Sequence, residues 1–458
     1  MVVGDLATAV DVVVLGGGPG GYVSAIRAAQ LGKQVALVDP GPPGGSCLHF
    51  HCIPSKALLT ATEYAWRVPG LSEMGIGAGP VQVDYAQMQA WKNSVVQRLV
   101  KGVQQLLDGN KVQVVAGRGW FLAENEVRVE GEHGAKRYSF DHCVIAVGAE
   151  ARPLPDLPFD HERVLTPGEA LRRTTLPANL ALVGSDYVVA EIATIFARLG
   201  VPTRILLPPG ERLLHHFDPL AGRLVQASLR KLGVKIEANV AEPARAVADA
   251  ACVVVSRGVV PRTGDLHLDL VHVETDAEGF IRVDGQLRTT NPKLYAVGDV
   301  TGGPRFATTA IKQAKVAAES LAGRRVQYAP QAIPHVAWTD PPVAAVGLTQ
   351  AEAEAQGYPV VAGRFPLAAN GRALSLDQTE GSVLTVADRN SGVLLGATII
   401  GARAGDLVGE LALALEMGAT LTDLAETLHP HPGLPETVQE SAEAALGAAV
   451  HLLKPTGA

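Results

Sequence analysis

The sequence predicts an α/β protein built on two Rossmann-like dinucleotide-binding units, and three observations carry that expectation. First, an apolar run of strand length, Val10 to Leu15, leads into Gly16-Gly17-Gly18-Pro19-Gly20-Gly21 and then a segment with helical spacing, Tyr22 to Leu31. Second, Gln34 to Val38 reads as another buried strand and ends in Asp39. Third, the pattern returns from Leu180. Ala28-Ala29-Gln30-Leu31-Gly32 is echoed by Phe196-Ala197-Arg198-Leu199-Gly200, each ending 16 residues after its opening glycine (Gly16 to Gly32, Gly184 to Gly200). A chain of 458 residues also exceeds what one core supports, so several domains are expected.

Each glycine of the first turn has a physical role. Gly16 makes the tight turn, Gly18 lets backbone N–H groups approach a pyrophosphate, and Gly21 lets helix and strand pack closely. The pyrophosphate then meets the positive end of the helix, and Asp39 stands where a ribose hydroxyl would be bound. Composition narrows the partners. With 49 glycines, 30 prolines, a net charge of −7 and no basic run, the chain reads as a soluble α/β protein with no nucleic-acid partner. Residues 1–30 carry Asp5 and Asp11 and break at glycines, so no signal peptide or membrane span is expected, and the cytoplasm is the expected compartment. Cys143 and Cys252 lie in apolar runs and read as packed thiols.

The chemistry concentrates in Gly44-Gly45-Ser46-Cys47-Leu48-His49-Phe50-His51-Cys52-Ile53-Pro54-Ser55-Lys56. Two cysteines in a short loop that opens a helix can cycle between dithiol and disulfide, and a helix N-terminus favours the thiolate. Two other readings stay open on the residues alone: a metal clip of Cys47, His49, His51 and Cys52, and a pair of ordinary buried thiols. Between 60 and 120 the chain reads as a helical excursion. Val95, Val96, Leu99, Val100, Val103, Leu106 and Leu107 mark its core face, with Lys92, Arg98 and Lys101 elsewhere.

The first fingerprint, Gly-Gly-Ser-Cys-Leu-x-x-x-Cys-Ile-Pro-Ser-Lys, Ala296-Val297-Gly298-Asp299 and His429-Pro430-His431-Pro432 together resemble dihydrolipoamide dehydrogenase, a family of FAD-dependent pyridine nucleotide–disulfide oxidoreductases. The match runs in order from about Val10 to Ala445. It implies an FAD-binding domain at 1–150, an NAD-type Rossmann domain at 151–268, a further FAD-binding or central segment at 269–330, and an α+β interface domain at 331–458 that forms a homodimer. The first fingerprint would hold FAD, through Gly16, Gly18, Gly21 and Asp39. The resemblance adds Gly117 near the adenine, Gly148 closing the first segment, Asp299 at the ribityl chain, and Ala307 opening a helix towards flavin N1 and O2. Val147 and Thr308-Thr309 depart from the family's usual threonine and His-Lys.

The resemblance also assigns the catalytic residues. Cys47 and Cys52 form the redox disulfide, and Lys56 pairs with Glu191 near flavin N5. His431, oriented by Glu436, serves the cysteines of the other subunit. A dihydrolipoyl dithiol, on a carrier domain or as a small molecule, would lose a proton to His431 and attack the Cys47 side of the disulfide. Cys52 would then pass electrons to the flavin. His51 stands where the family has glycine, and a protonated His51 is expected to stabilise the Cys52 thiolate, the alternative being a solvated histidine. No cysteine follows Cys252, which argues against mercuric reductase and large thioredoxin reductase.

In the family the second unit binds NAD, and here its fingerprint is degenerate. Asp186 and Val189 replace the second and third glycines, and Leu207 stands 23 residues after Gly184, where Asp39 stands after Gly16. The loop Gly258-Val259-Val260-Pro261 lacks the family's arginines. A carboxylate opposes a pyrophosphate, a Cβ opposes close approach, and a lost acid removes a charge-assisted hydrogen bond of roughly 1.5–3 kcal/mol. NAD is therefore expected to be impaired as electron acceptor. The expected function is FAD-dependent dithiol oxidation. The alternative is a flavin-holding scaffold subunit of a larger lipoyl-bearing complex, with little turnover.

Overall fold

A computed structural model describes residues 7–77, 79–132 and 134–453; Asp5 lies outside them. The opening apolar run becomes β1 (Thr8–Leu15), with Val12, Val13 and Val14 wholly buried. Such continuous burial is expected of a parallel strand covered on both faces. Helix α1 (Pro19–Gln30) follows with Gly18 at its N-cap and Pro19 at its first position, where the missing N–H costs nothing. After β2 (Val35–Asp39) come the short α2 (Gly45–His49), then α3 (Cys52–Arg67) and α4 (Tyr85–Gly109). The strands β3 (Gln113–Ala116), β4 (Arg118–Ala123), β5 (Glu126–Gly131) and β6 (Gly134–Ile145) complete this run. The sheet order is β3-β2-β1-β6-β5-β4, parallel from β3 to β6 and antiparallel beyond.

On α4 the structure corrects the expected core face. Val96, Val103 and Leu107 are buried, but Leu99 and Leu106 are exposed. Lys92 lies inside, donating to Gln89 Oε1 at 2.5 Å and to the Leu171 carbonyl at 3.1 Å. Burial, with Arg172 nearby, lowers its ammonium to about 8. A buried, hydrogen-bonded lysine satisfies its donors on a carbonyl from a distant segment, which helical spacing does not reveal.

A second sheet follows β7 (Ala149–Ala151). It contains β8 (Val164–Leu165), β9 (Leu180–Val183), β10 (Thr203–Leu206), β11 (Lys235–Glu237) and β12 (Cys252–Val255) in the parallel order β11-β10-β9-β12-β8. Its helices are α5 (Pro167–Ala170), α6 (Tyr187–Arg198), α7 (Pro219–Lys231) and α8 (Pro243–Ala246), and β13 (Val259–Pro261) pairs with β7. The internal repeat is visible in the two helix ends. Gly32 and Gly200 each follow the C-cap with φ of +86° and +78°, the left-handed turn that glycine makes without strain. Cys143 and Cys252 are buried in β6 and β12, as expected.

The chain then returns to the first sheet. Strand β14 (Leu294–Ala296) pairs parallel with β6, and α9 (Ala307–Leu321) packs on α1. A five-stranded antiparallel sheet closes the chain: β15 (His335–Ala337), β16 (Val343–Gly347), β17 (Val360–Pro366), β18 (Ser382–Asp388) and β19 (Leu394–Ile400). With it are α10 (Gln350–Ala355), α11 (Gly371–Ser375), α12 (Ala404–Met417), α13 (Leu421–Glu426) and α14 (Glu436–Leu446). Helix α12 turns Val408, Leu411 and Ala414 inward and leaves Leu413 and Met417 exposed. Among the described residues, no helix is long and apolar enough to cross a membrane.

Candidate active site

The first glycine turn admits only glycine at two of its positions, Gly16 and Gly21. A Cβ on Gly16 would lie 2.4 Å from the Ala146 carbonyl oxygen, and one on Gly21 would lie 1.7 Å from the Gly16 oxygen. Helix α1 therefore starts hard against the end of β1, and no side chain caps its first N–H groups. An uncapped helix start beside a glycine turn is an anion-binding position. Asp39 Oδ2 accepts from the Gly17 N–H at 2.5 Å and Oδ1 from the Gly41 N–H at 2.7 Å, which fixes the carboxylate at the strand end. Gly45 crosses close by, and a Cβ there would lie 2.5 Å from the Gly18 Cα, so the cysteine segment sits directly on the turn.

Cys47 lies on α2 and Cys52 is the first residue of α3, so the two thiols occupy two helices rather than one loop. Both are free thiols that hydrogen-bond one another. The bond from Cys47, aided by the Lys56 ammonium, lowers Cys52 against its burial. The same bond and burial push Cys47 up. Cys52 is thus the sulfur whose surroundings favour the thiolate. His51 does not take the part expected of it. Burial, with Arg262 and Lys56 nearby, lowers its imidazole, which disfavours the cation, and the cation beside Cys52 is Lys56. His49 turns its Nε2 to the carbonyls of Pro42 and Pro43, at 3.2 and 3.1 Å. Phe50 and His51 instead seat the segment against α5, where a Cβ on Gly168 would lie 3.0 Å from Phe50 Cβ. The Arg172 guanidinium stands 5.1 Å from the Phe50 ring. Sequence spacing gave no sign of this support.

Helix α3 packs on α6, and this joins Lys56 to Glu191 across 135 residues of sequence. Lys56 Nζ lies 2.7 Å from Glu191 Oε2, and the other carboxylate oxygen accepts from the Trp338 N–H at 3.0 Å. Glu191 is buried while Lys56 keeps partial access to solvent. Lys56→Met should cost about 2–3 kcal/mol in denaturant unfolding, less than a fully buried pair would. It should also raise the Cys52 thiol pKa measured from thiolate absorbance. The double variant Lys56→Met/Glu191→Gln should recover much of the stability but only part of the thiol shift, because the Glu191 carboxylate itself pushes Cys52 up.

Around the same space lie the remaining residues of the first crevice. Gly117 follows β3 with φ of +156°, and a Cβ there would lie 2.6 Å from the Glu130 oxygen. Gly148 follows β6 with φ of +74°. Asp299 sits in a helical turn after β14, where burial pushes its carboxyl up against the pull of Arg305. Ala307 is the first residue of α9. Thr309 donates its hydroxyl to Pro304 and Phe306 oxygens at 2.8 and 2.7 Å, closing on its own turn.

The second turn is built differently. Asp186 caps α6, its Oδ1 accepting from the Val189 N–H at 3.0 Å and its Oδ2 from the Ser256 hydroxyl at 2.6 Å. The carboxylate is therefore turned onto the helix start rather than repelling a ligand from it, which corrects the expected geometry. Val189 and Leu207 point into the core and are buried.

His431 lies at the exposed end of the antiparallel unit, 81% open to solvent. Its Nδ1 is 2.8 Å from Glu436 Oε1, and the other oxygen accepts from the Gly433 N–H at 2.7 Å. Burial of Glu436 is outweighed by these two partners, which hold its carboxyl below the usual range. Asn370 steadies the loop by donating from Nδ2 to the Gly433 carbonyl at 3.0 Å. Asparagine before a short helix is the signal that marks such a cap, since its Oδ1 also accepts from the Ala373 N–H. No bond among the described residues joins His431 to the cysteines of its own chain, and its imidazole faces outward.

Comparison with known proteins places the chain in a family. Residues 10–314 match the pyridine nucleotide-disulphide oxidoreductase family, and residues 333–442 match the dimerisation domain of that family. The chain is 40% identical to dihydrolipoyl dehydrogenase of Geobacillus stearothermophilus over 470 residues, covering 99% of this chain and all of that protein. Identity to the dihydrolipoyl dehydrogenase of Bacillus subtilis is also 40%, over 472 residues and with the same coverage. Among solved structures, LpdA of Mycobacterium tuberculosis superposes with a TM-score of 0.87 at 26% identity, covering 95% of this chain and 99% of that one. The flavoprotein disulfide reductase RclA of Escherichia coli shares the fold, with a TM-score of 0.85 at 22% identity, covering 95% of this chain and 99% of that chain. The chain belongs to the pyridine nucleotide-disulphide oxidoreductase family, as an FAD flavoprotein of the dihydrolipoyl dehydrogenase type.

Proposed function

We propose that this protein oxidises dihydrolipoyl-type dithiols through Cys47 and Cys52, and that NAD is a poor acceptor of the electrons. The observation that carries the reading is the asymmetry of the thiol pair, with Cys52 held towards thiolate and Cys47 held protonated beside it. FAD suits the first crevice because its diphosphate matches the uncapped start of α1, with Gly16, Gly18, Gly21 and Asp39 around it. Gly117 stands on the adenine side, Gly148 closes the first segment, Asp299 offers a carboxyl to the ribityl hydroxyls, and the helix begun by Ala307 turns its positive end inward. When bound, FAD supplies a two-electron acceptor beside Cys52.

The chain's own residues perform the thiol steps. His431 removes a proton from one substrate thiol, its imidazole held by Glu436. The resulting thiolate attacks Sγ of Cys47, the disulfide breaks, and Cys52 leaves as the thiolate that Lys56 stabilises. The second substrate thiol then attacks the mixed disulfide, releasing Cys47, which takes up the first proton from His431, while the proton of the attacking thiol passes to the vacated imidazole. The substrate leaves as a disulfide, and both electrons remain on the cysteine pair. Because His431 faces outward, the pair His431–Glu436 of one subunit serves the cysteines of the other, so the working unit is a homodimer. The exposed Leu413 and Met417 on α12 support such pairing. The dithiol is read as one borne by a carrier domain, as the name dihydrolipoyl dehydrogenase given to the relatives suggests. Anaerobic mixing with dihydrolipoamide should change the flavin spectrum, raising a long-wavelength band from the Cys52 thiolate beside it. An unchanged spectrum would leave the scaffold reading in its place.

A further inference from the structure

The crevice where a second dinucleotide would lie is bridged by side chains of the protein itself. In an open parallel sheet, ligands bind outside the carboxyl ends of the strands where the strand order reverses. In the second sheet that place is above β9, between β10 and β12. All three loops that leave those strand ends contribute to the bridge. From the β9 loop come Ser185 and Asp186, from the β10 loop Glu211, and from the β12 loop Ser256 and Arg257. Asp186 takes the N–H of Val189 at the helix start and the hydroxyl of Ser256. Ser185 donates to the Glu211 carboxylate and lies 3.1 Å from His215 Nδ1. Arg257 Nη1 is 2.9 Å from both Glu211 oxygens. The first sheet provides the contrast, since α1 begins with no side-chain cap.

The helix itself also stands differently. At the first turn a Cβ on Gly21 would overlap the Gly16 oxygen, so the helix presses on the turn. At the second, a whole valine occupies the equivalent position, and its Cγ2 lies 3.0 Å from where a Cβ on Gly184 would be.

We propose that Asp186, Ser256, Glu211 and Arg257 are specificity-determining residues that exclude pyridine nucleotides by occupation: the Asp186 carboxyl already fills the helix start, and the Glu211–Arg257 clasp closes the crevice above it. This deepens the reading of NAD as a poor acceptor and rests on it. Occupation differs from charge repulsion in a way that can be measured. An asparagine at 186 loses the charge and keeps both bonds, since its oxygen caps Val189 and its amide meets Ser256. A glycine keeps neither.

The test is titration calorimetry of the oxidised holoenzyme with NAD, which transfers no electrons to it. Wild type should show Kd above about 1 mM, on the order of the weakest useful binding. Asp186→Gly/Glu211→Gln should tighten Kd at least tenfold, because it frees the helix start and also Arg257 for a phosphate. Asp186→Asn/Glu211→Gln should not match that gain. The same comparison in a Val189→Gly/Leu207→Glu background guards against the remaining losses masking the effect, and flavin absorbance checks folding. Micromolar binding by wild type, equal gains from asparagine and glycine, or no gain from glycine in either background would each overturn the proposal. Reduction by dihydrolipoamide is recorded on the same samples. Its failure would remove the dithiol reading and leave the binding result standing.

Discussion

Cys52→Ser is expected to lower dithiol-dependent flavin reduction by at least about 10³-fold, the loss that follows when a covalent intermediate can no longer form. Cys47→Ser should be equally inactive in turnover, but the two variants should differ in spectrum. In Cys47→Ser the serine hydroxyl still hydrogen-bonds Cys52 and the Lys56 ammonium remains, so a Cys52 thiolate should persist at neutral pH. Its long-wavelength band with the flavin should be visible without substrate. In Cys52→Ser the remaining thiol is the one whose hydrogen-bond partner and burial push it up, so that band should be absent. Anaerobic absorbance spectra of both variants check this. Matching bands in the two would mean that the asymmetry of the pair had been misassigned.

His431→Ala should reduce dithiol turnover by roughly 10²–10⁴-fold, the contribution of a positioned general base. Glu436→Gln should cost less. It removes one charge-assisted hydrogen bond, about 1.5–3 kcal/mol, which corresponds to roughly 10–150-fold in rate. Steady-state turnover with dihydrolipoamide measures both. Mixed dimers give the sharper result. A heterodimer of His431→Ala and Cys47→Ser subunits holds one site with an intact base and intact cysteines only if the base acts across the interface. Such heterodimers should recover about half the activity per dimer, whereas a base acting within its own chain would leave them inactive.

Much of this was legible in the sequence because local spacing records backbone demands. Gly16 and Gly21 of the first turn are fixed by Cβ clashes of 2.4 and 1.7 Å, and those demands leave the same pattern wherever the turn is built. The repeat at Gly32 and Gly200 is legible for the same reason. The residues that spacing missed are those whose roles depend on distant segments. Lys92 lies on the polar side of its helical pattern and is buried because a carbonyl at Leu171 receives it. His51 sits beside a thiol and suggests a cation, but burial among distant segments, with Arg262 and Lys56 nearby, lowers its imidazole. At the second turn, the loss of glycines was visible, but its consequence was not. That Asp186 would bind the helix start instead of repelling a ligand depends on Ser256, 70 residues away.

The measurement closest to the centre of this account is an anaerobic titration of the yellow holoenzyme followed by absorbance, with dihydrolipoamide and NADH added in separate experiments. Reduction by dihydrolipoamide, with NADH at the same concentration leaving the flavin oxidised, is the predicted result. Equal reduction by NADH would contradict it, since the nucleotide would then reach the flavin through a crevice that Asp186, Glu211 and Arg257 are argued to fill.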